Sequence, residues 1–385
     1  MEFVIQKSDL VRELQTVTGV VEKRATLPIL ANLLLEAKGD RLYVGASDLE
    51  VTIRGSAKAE VSRDGSVTLP AGKLHEIARS LPEAEVRFKL LERNQVAISC
   101  ERTKYKISGQ SRDEFPSFPE VDTAKGIKLP APLLRGLIER VAFSITMEDP
   151  RYSLNGALFL LQAGRLTLVA TDGHRLAYAA ADVGAEPEGG ELKVIVPRKA
   201  LGEVAKLTAD AASDDEVVFG KSDGSQVFFV VNDHRLTSNV LEGNFPSYKN
   251  VMPQSCSTIV SVPTEDFSQA VRRVALLAND RYGRAVKLSL SAGKLDLSSK
   301  TEMGEAQESL AVDYDGSEMT IGFNARYLQD FFNVVGSDAV QLELNPVKPG
   351  ENGDKTSDPG DKPGQLRPQG EEKLDYRYIV MPMHL

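Results

Sequence analysis

The chain has only two cysteines, Cys100 and Cys256, far apart and outside any CxxC spacing. That excludes a disulfide framework or a thiolate metal site and leaves two lone thiols, expected to be buried in a reducing compartment. No run approaches the roughly 18 to 20 apolar residues of a membrane helix. The opening MEFVIQKSDL lacks a basic segment followed by an apolar one, so no export signal is visible. Four histidines are scattered singly, and HExxH, GxSxG, P-loop and GxGxxG patterns are all missing. Two Asp–His neighbours, Asp172-Gly173-His174 and Asp233-His234, could be read as acid–base pairs, but a nucleophilic site would need a Ser or Cys placed against such a histidine and no GxSxG supplies one. The expectation is a protein that is not an enzyme, uses no cofactor or metal, and works in the cytoplasm away from membranes. A basic excess is lacking too: the net charge is −9, which by itself argues against nucleic-acid binding.

What the chain does have is internal repetition. A strand, a turn and a helix recur as VTLPAGKLHEIARSLP (67–82), VIVPRKALGEVAKLT (194–208) and IGFNARYLQDFFNVV (321–335). Their turn residues Pro70, Pro197 and Asn324 are 127 positions apart in both steps. A hairpin recurs with basic–Leu pairs at Arg41-Leu42, Arg165-Leu166 and Lys294-Leu295, 124 and 129 positions apart. An amphipathic helix opens each unit: SDLVRELQTVTGVV, APLLRGLIERVAF and TEDFSQAVRRVALL. In the last, Phe267, Ala270, Val271, Val274 and Leu277 share one face, and Ser8 and Thr264 stand where N-caps belong. Three elements recurring in one order with nearly one period mark a repeat protein. Each unit reads as helix, hairpin, helix and further strands, the alternating strands being antiparallel with one buried face. Boundaries fall in the polar, Pro-bearing segments 113–126 and 242–255, which share Phe-Pro at 115–116 and 245–246. Residues 345–373, with five Pro and five Gly among 29, read as a mobile loop.

The charge is unevenly spread. Helices taken as 8–24, 73–81, 131–145, 198–207, 264–279 and 324–335 hold thirteen Lys or Arg against nine acids, +4, leaving −13 elsewhere. Basic helices on an acidic body would steer a polyanion to the helix side only.

The order and spacing of RATLPILANLLLEA, DPRYSLNGALF, ATDGHRLA, VIVPRKAL, EGNFPSYKNVMP, IGFNARYL and YIVMPMHL resemble the bacterial DNA polymerase III β subunits, the sliding clamps, over essentially the whole chain. The resemblance implies an α+β fold of three tandem DNA-clamp domains, two helices on antiparallel sheets each, at 1–122, 127–252 and 256–385. It implies a head-to-tail dimer, a six-domain ring around double-stranded DNA that acts as a processivity factor. The alternative is a protein-binding scaffold that does not encircle DNA. Implied partners are a second copy, DNA, the replicative polymerase, the clamp loader and other proteins with clamp-binding motifs.

For DNA contact the resemblance points to Arg24, Lys73, Arg151, Tyr152, Ser153 and Lys199. Ser153 stands where an aromatic is usual, Glu148 where an amide is common, and Gly72 where the family has a basic residue. For a peptide pocket it points to Leu154, Thr171, Gly173, His174, Arg175, Leu176, Pro246, Val251, Asn324, Tyr327, Val380, Met381, Pro382 and Met383, with His384 where Arg is frequent. For the subunit interface it points to Lys104, Tyr105, Lys106 and Ile107 against Leu276, Leu277, Glu302, Glu305 and Glu308.

Overall fold

The computed structural model describes residues 1–22, 27–146, 150, 152–222, 224–278, 284–345, 362–370 and 373–383. Among them are six α-helices: α1 (Lys7–Thr18), α2 (Ala71–Ser80), α3 (Ala131–Ala142), α4 (Arg198–Leu207), α5 (Thr264–Val274) and α6 (Ala325–Val335). Two fall in each repeat. The chain forms two compact units, one of residues 1–135, 185–192 and 196–241, the other of 136–184, 193–195 and 242–385.

In the first unit a five-stranded antiparallel sheet runs in the order Glu60–Arg63, Glu2–Gln6, Glu85–Leu90, Gln95–Cys100, Thr103–Ser108. The unit's eight-stranded sheet takes four strands from each of two repeats. The seam between them is the antiparallel pair His234–Asn239 and Val51–Lys58, in register at Leu236 and Ile53. Another eight-stranded sheet is joined in the same way, by Arg175–Asp182 against Asp375–Val380. The second unit also holds a four-stranded sheet in the order Gly304–Ala311, Lys294–Thr301, Ala285–Ser291, Met319–Asn324. The middle repeat therefore divides its strands between two large sheets.

The amphipathic stripes are buried as their spacing predicts. Helix α5 buries Phe267, Ala270, Val271 and Val274, and α6 buries Leu328, Phe331, Phe332 and Val335. Phe331 stacks on both Tyr376 and Tyr378, at 5.5 Å between centroids in each case, so the final strand is fastened to α6 by aromatic packing. Each such fully buried side chain contributes about 1.5–3 kcal/mol relative to exposure.

The expected caps and ends need correction. Neither Ser8 nor Thr264 is an N-cap, because a short strand runs straight into each helix and leaves Gln6 and Pro263 at the cap positions. The opening N–H finds a backbone acceptor beyond the second helix of the repeat instead. Lys7 donates to the carbonyl of Ala84, Ala131 to Asp215 and Thr264 to Asp338, at 2.8–3.1 Å. The first helices are also shorter than the apolar pattern suggested. Helix α1 ends at Thr18, α3 at Ala142 and α5 at Val274, where a 3-10 turn (Ala275–Leu277) lifts Leu276 and Leu277 off the buried face.

A further correction concerns 345–373. Gly364–Pro368 is a strand, antiparallel to Ala339–Leu344 on one side and Asp375–Val380 on the other. Its single apolar residue, Leu366, is buried, and Gln365 donates to Glu343 at 2.5 Å. Composition missed it because one buried Leu is enough for a strand held on both sides by backbone hydrogen bonds; Gln365 Nε2 is bonded, while its Oε1 has no partner among the described residues. Residues 346–361 and 371–372 of that segment lie outside the described residues.

Candidate functional site

In the second unit a tight turn, Thr171–Arg175, joins two strands. Gly173 holds φ +88° there, a backbone region open to glycine at no steric cost. The Asp172 carboxylate accepts the N–H groups of His174 and Arg175 at 2.9 and 3.0 Å, and Thr171 Oγ1 accepts that of Gly173 at 3.1 Å. The turn thereby drives Arg175 inward. Its nearly buried guanidinium donates to Asp172 (2.9 Å), Asp330 of α6 (2.6 Å) and the Phe143 carbonyl (2.8 Å). It also lies 4.4 Å from the Tyr327 ring centroid, a cation–π contact. A buried charge left without such partners would cost several kcal/mol, so the cluster stands or falls as a group.

The end of the chain completes this cleft. Val380 pairs with Arg175 in the sheet, Met381 N–H donates to His174 O, and Met383 N–H donates to Gly322 O, both at 2.9 Å. Met381-Pro382-Met383 thus bridges the 171–175 turn and the strand that leads into α6. Asn324 caps that helix, its Oδ1 accepting the N–H of Arg326 at 2.9 Å and of Tyr327 at 3.4 Å. Tyr378 donates its hydroxyl to the Tyr327 carbonyl at 3.0 Å, and burial raises its pKa above the ordinary phenol value. Thr171, Gly173, His174, Arg175, Asn324, Tyr327 and 380–383 therefore converge, with the Met381 side chain open to solvent. Leu154 and Leu176 are buried, while Pro246 and Val251 are exposed on the connecting segment. His384 lies outside the described residues. Sequence reasoning missed Asp330 and Phe143 as members; the signal for Asp330 was its position three residues after Tyr327 on the same helix.

Two edge strands form a second feature. Thr103–Ser108 ends the five-stranded sheet and Gly304–Ala311 ends the four-stranded one. Lys104 and Lys106 are exposed along the first, with Tyr105 and Ile107 half-buried. Glu302 and Glu305 are exposed beside or along the second, near Leu276, which is 81% exposed, and Met303, which is 89% exposed. Glu308 behaves differently from the other two acids. Its carboxylate is held by Arg273 of α5 at 2.5 and 2.8 Å, which lowers its pKa.

The helix cations are less free than their count implied. Lys73 is exposed but paired with Glu76 at 2.6 Å. Lys199, in the first turn of α4, is held by Asp48 and, at 3.1 Å, by Glu22. Burial disfavours its charge, but the two carboxylates outweigh this and raise its pKa. Any phosphate there must exchange with these acids. Ser153 lies in a 3-10 turn, Tyr152–Leu154. Arg24, Glu148, Arg151 and the Tyr152 side chain fall outside the described residues.

The Asp–His neighbours do not form acid–base pairs. Asp172 caps its turn, Asp233 binds Arg41, and His234 Nε2 faces Glu13 at 3.0 Å. Cys100 is buried as expected, but Cys256 is only half-buried; burial and then Glu343 push its pKa up to about 11, keeping it a thiol.

Helix pairs laid on antiparallel sheets three times over define the DNA-clamp class of fold. Family models described as the N-terminal, central and C-terminal domains of the DNA polymerase III beta subunit match residues 1–119, 128–247 and 249–351. A beta sliding clamp of Pseudomonas putida is 34% identical over 387 residues, covering 100% of both chains. Crystal structures of sliding clamps bound to griselimycin, from Pseudomonas aeruginosa and Bartonella birtlesii, superpose with TM-scores of 0.89 and 0.90 at 33% and 31% identity, each covering 100% of both chains. The chain belongs to the DNA polymerase III beta subunit family, the beta sliding clamps.

Proposed function

We propose that two copies of this chain close head to tail into a six-domain ring around duplex DNA and hold the replicative polymerase on its template. The observation that carries the reading is a chain of three clamp domains with two uncovered strand edges of opposite charge, one in its first repeat and one in its third. An uncovered edge invites pairing, and a heterologous interface whose rotation closes gives a ring. Lys104, Tyr105, Lys106 and Ile107 would meet Leu276, Leu277, Glu302 and Glu305, with Glu308 acting through Arg273. The domains divide as 1–122, 127–252 and 256–385. Arg24, Lys73, Arg151, Tyr152, Ser153 and Lys199 would touch phosphates, which position a protein without reading sequence and so permit sliding.

The cleft at Arg175 and Met381 would take short motifs from the polymerase, the clamp loader and other partners, methionine being able to repack around different apolar anchors. The protein would work in the cytoplasm without catalysing a reaction. Retention on DNA tests the ring: loaded onto nicked circular plasmid, the protein should stay bound through gel filtration and fall off when the plasmid is cut. Equal loss from circular and linear DNA would refute encirclement.

A further inference from the structure

The eight-stranded sheet of the first unit has a face that none of these roles uses. Strands Asn32–Lys38, Arg41–Ser47, Val51–Lys58, His234–Asn239 and Gln226–Val231 floor a groove of about 900 Å3, and the segment from Arg112 to Val121 borders it. Five cations line it, Lys38, Arg41, Arg54, Arg112 and Arg235, against three acids, Glu36, Glu120 and Asp233. This cationic excess stands out on a chain of net charge −9.

Two of the arginines oppose each other. Arg54 and Arg235 are direct cross-strand partners, an arrangement that is destabilising for like charges. Arg54 is compensated by Glu36 at 2.9 Å and by the Tyr43 ring at 4.6 Å. The Arg235 side chain is half-buried and makes no ion pair or hydrogen bond among the described residues. Its N–H donors are left to solvent and are free to meet an incoming acceptor. Glu36 relieves only one side of this pair, so an added carboxylate between the two arginines would find a favourable field beside a roomy cleft.

We infer that this groove docks an acidic peptide segment of a partner protein, whose carboxylates the Arg54 and Arg235 forks would hold in bidentate fashion. The interleaved acids would repel a continuous polyanion but tolerate spaced carboxylates. The tip of Phe118 is wedged onto Gly45 and one face of Tyr43 is covered by Arg54, which leaves little aromatic surface on which bases could stack. Pro119 and Val121 supply an apolar margin for the peptide's other side chains.

The test uses full-length protein carrying Met381→Asp and Met383→Asp, so that the C-terminal cleft cannot capture the probe. A fluorescein-labelled peptide of alternating glutamate and leucine should bind, and Arg235→Glu should weaken it about tenfold or more. Arg235→Thr should leave the thermal midpoint unchanged or higher, since it removes a repulsion. Peptide affinity indifferent to Arg235→Glu would overturn the assignment. So would a midpoint lowered by Arg235→Thr, which would make the arginine structural, or an oligothymidylate that binds more tightly than the peptide in an Arg235-dependent way, which would make the groove a nucleic-acid surface.

Discussion

Met381 and Met383 are both tied to the protein by their backbones. Both N–H groups are engaged, with His174 and Gly322, while Met381 as a whole is 37% exposed and Met383 half-buried. Replacing both residues with Asp should therefore leave the thermal midpoint within a few degrees yet weaken a clamp-binding peptide about tenfold or more, by placing carboxylates where apolar anchors would sit. Fluorescence anisotropy would measure this, and unchanged affinity would remove these residues from the cleft. Arg175 plays the complementary part, fixed on every side and available to hold the cleft's shape. Its identity was legible in the sequence through the family resemblance. Its partners were not, because Asp330 lies 155 positions away and only the fold brings them together.

Helix α6 links the cleft to the core, since its first turn carries Tyr327 and its later turns bury Phe331 and Phe332. Asn324 is the only cap residue that the repeat pattern places at this turn where the other two repeats have Pro. Asn324→Ala should cost about 1 kcal/mol, seen as a lower urea midpoint with an unchanged slope, whereas Asn324→Asp should cost little. An alanine variant as stable as the parent would mean the cap hydrogen bonds contribute nothing. At this scale the sequence was informative where periodicity is strong. All six helices were foreseen, the second of each repeat within two residues at either end, but the first of each repeat ends three to six residues earlier than its apolar pattern. The short strands Glu2–Gln6, Ile127–Pro130 and Thr258–Pro263 were not foreseen, since four to six residues running into a helix have too short a pattern to separate from it. Gly364–Pro368 was hidden for a different reason: its neighbours on both sides supply the pairing, so its own composition hardly matters.

For the whole molecule the exposed Leu276 is the most exacting test of the proposed assembly. An 81% exposed leucine contributes little to its own chain's fold, so Leu276→Asp should not alter thermal stability of the monomer. In a closed dimer it would introduce a charge at an apolar contact and cost about 2 kcal/mol, roughly thirtyfold in dissociation constant. Sedimentation velocity over a dilution series should then show the monomer–dimer transition moved to about thirtyfold higher concentration than in the parent. A variant whose transition falls at the parent's concentration would place the interface elsewhere. The repeat count and the sign of each edge could be read from the sequence, but the pairing of Glu308 with Arg273 could not, because which face of an edge strand an acid occupies depends on register.

The seams at Val51–Lys58 with His234–Asn239, and at Arg175–Asp182 with Asp375–Val380, limit how such a protein can be taken apart or rearranged. The chain looks modular when counted in repeats, yet each join between neighbours is a ladder of main-chain hydrogen bonds inside a continuous sheet. A fragment cut at either connecting segment would carry away one half of a ladder and present bare amides and carbonyls to its surroundings. Shuffling, deleting or adding a repeat would therefore create a sticky edge before it created a new ring, and that favours keeping the repeat number fixed while side chains change freely around it.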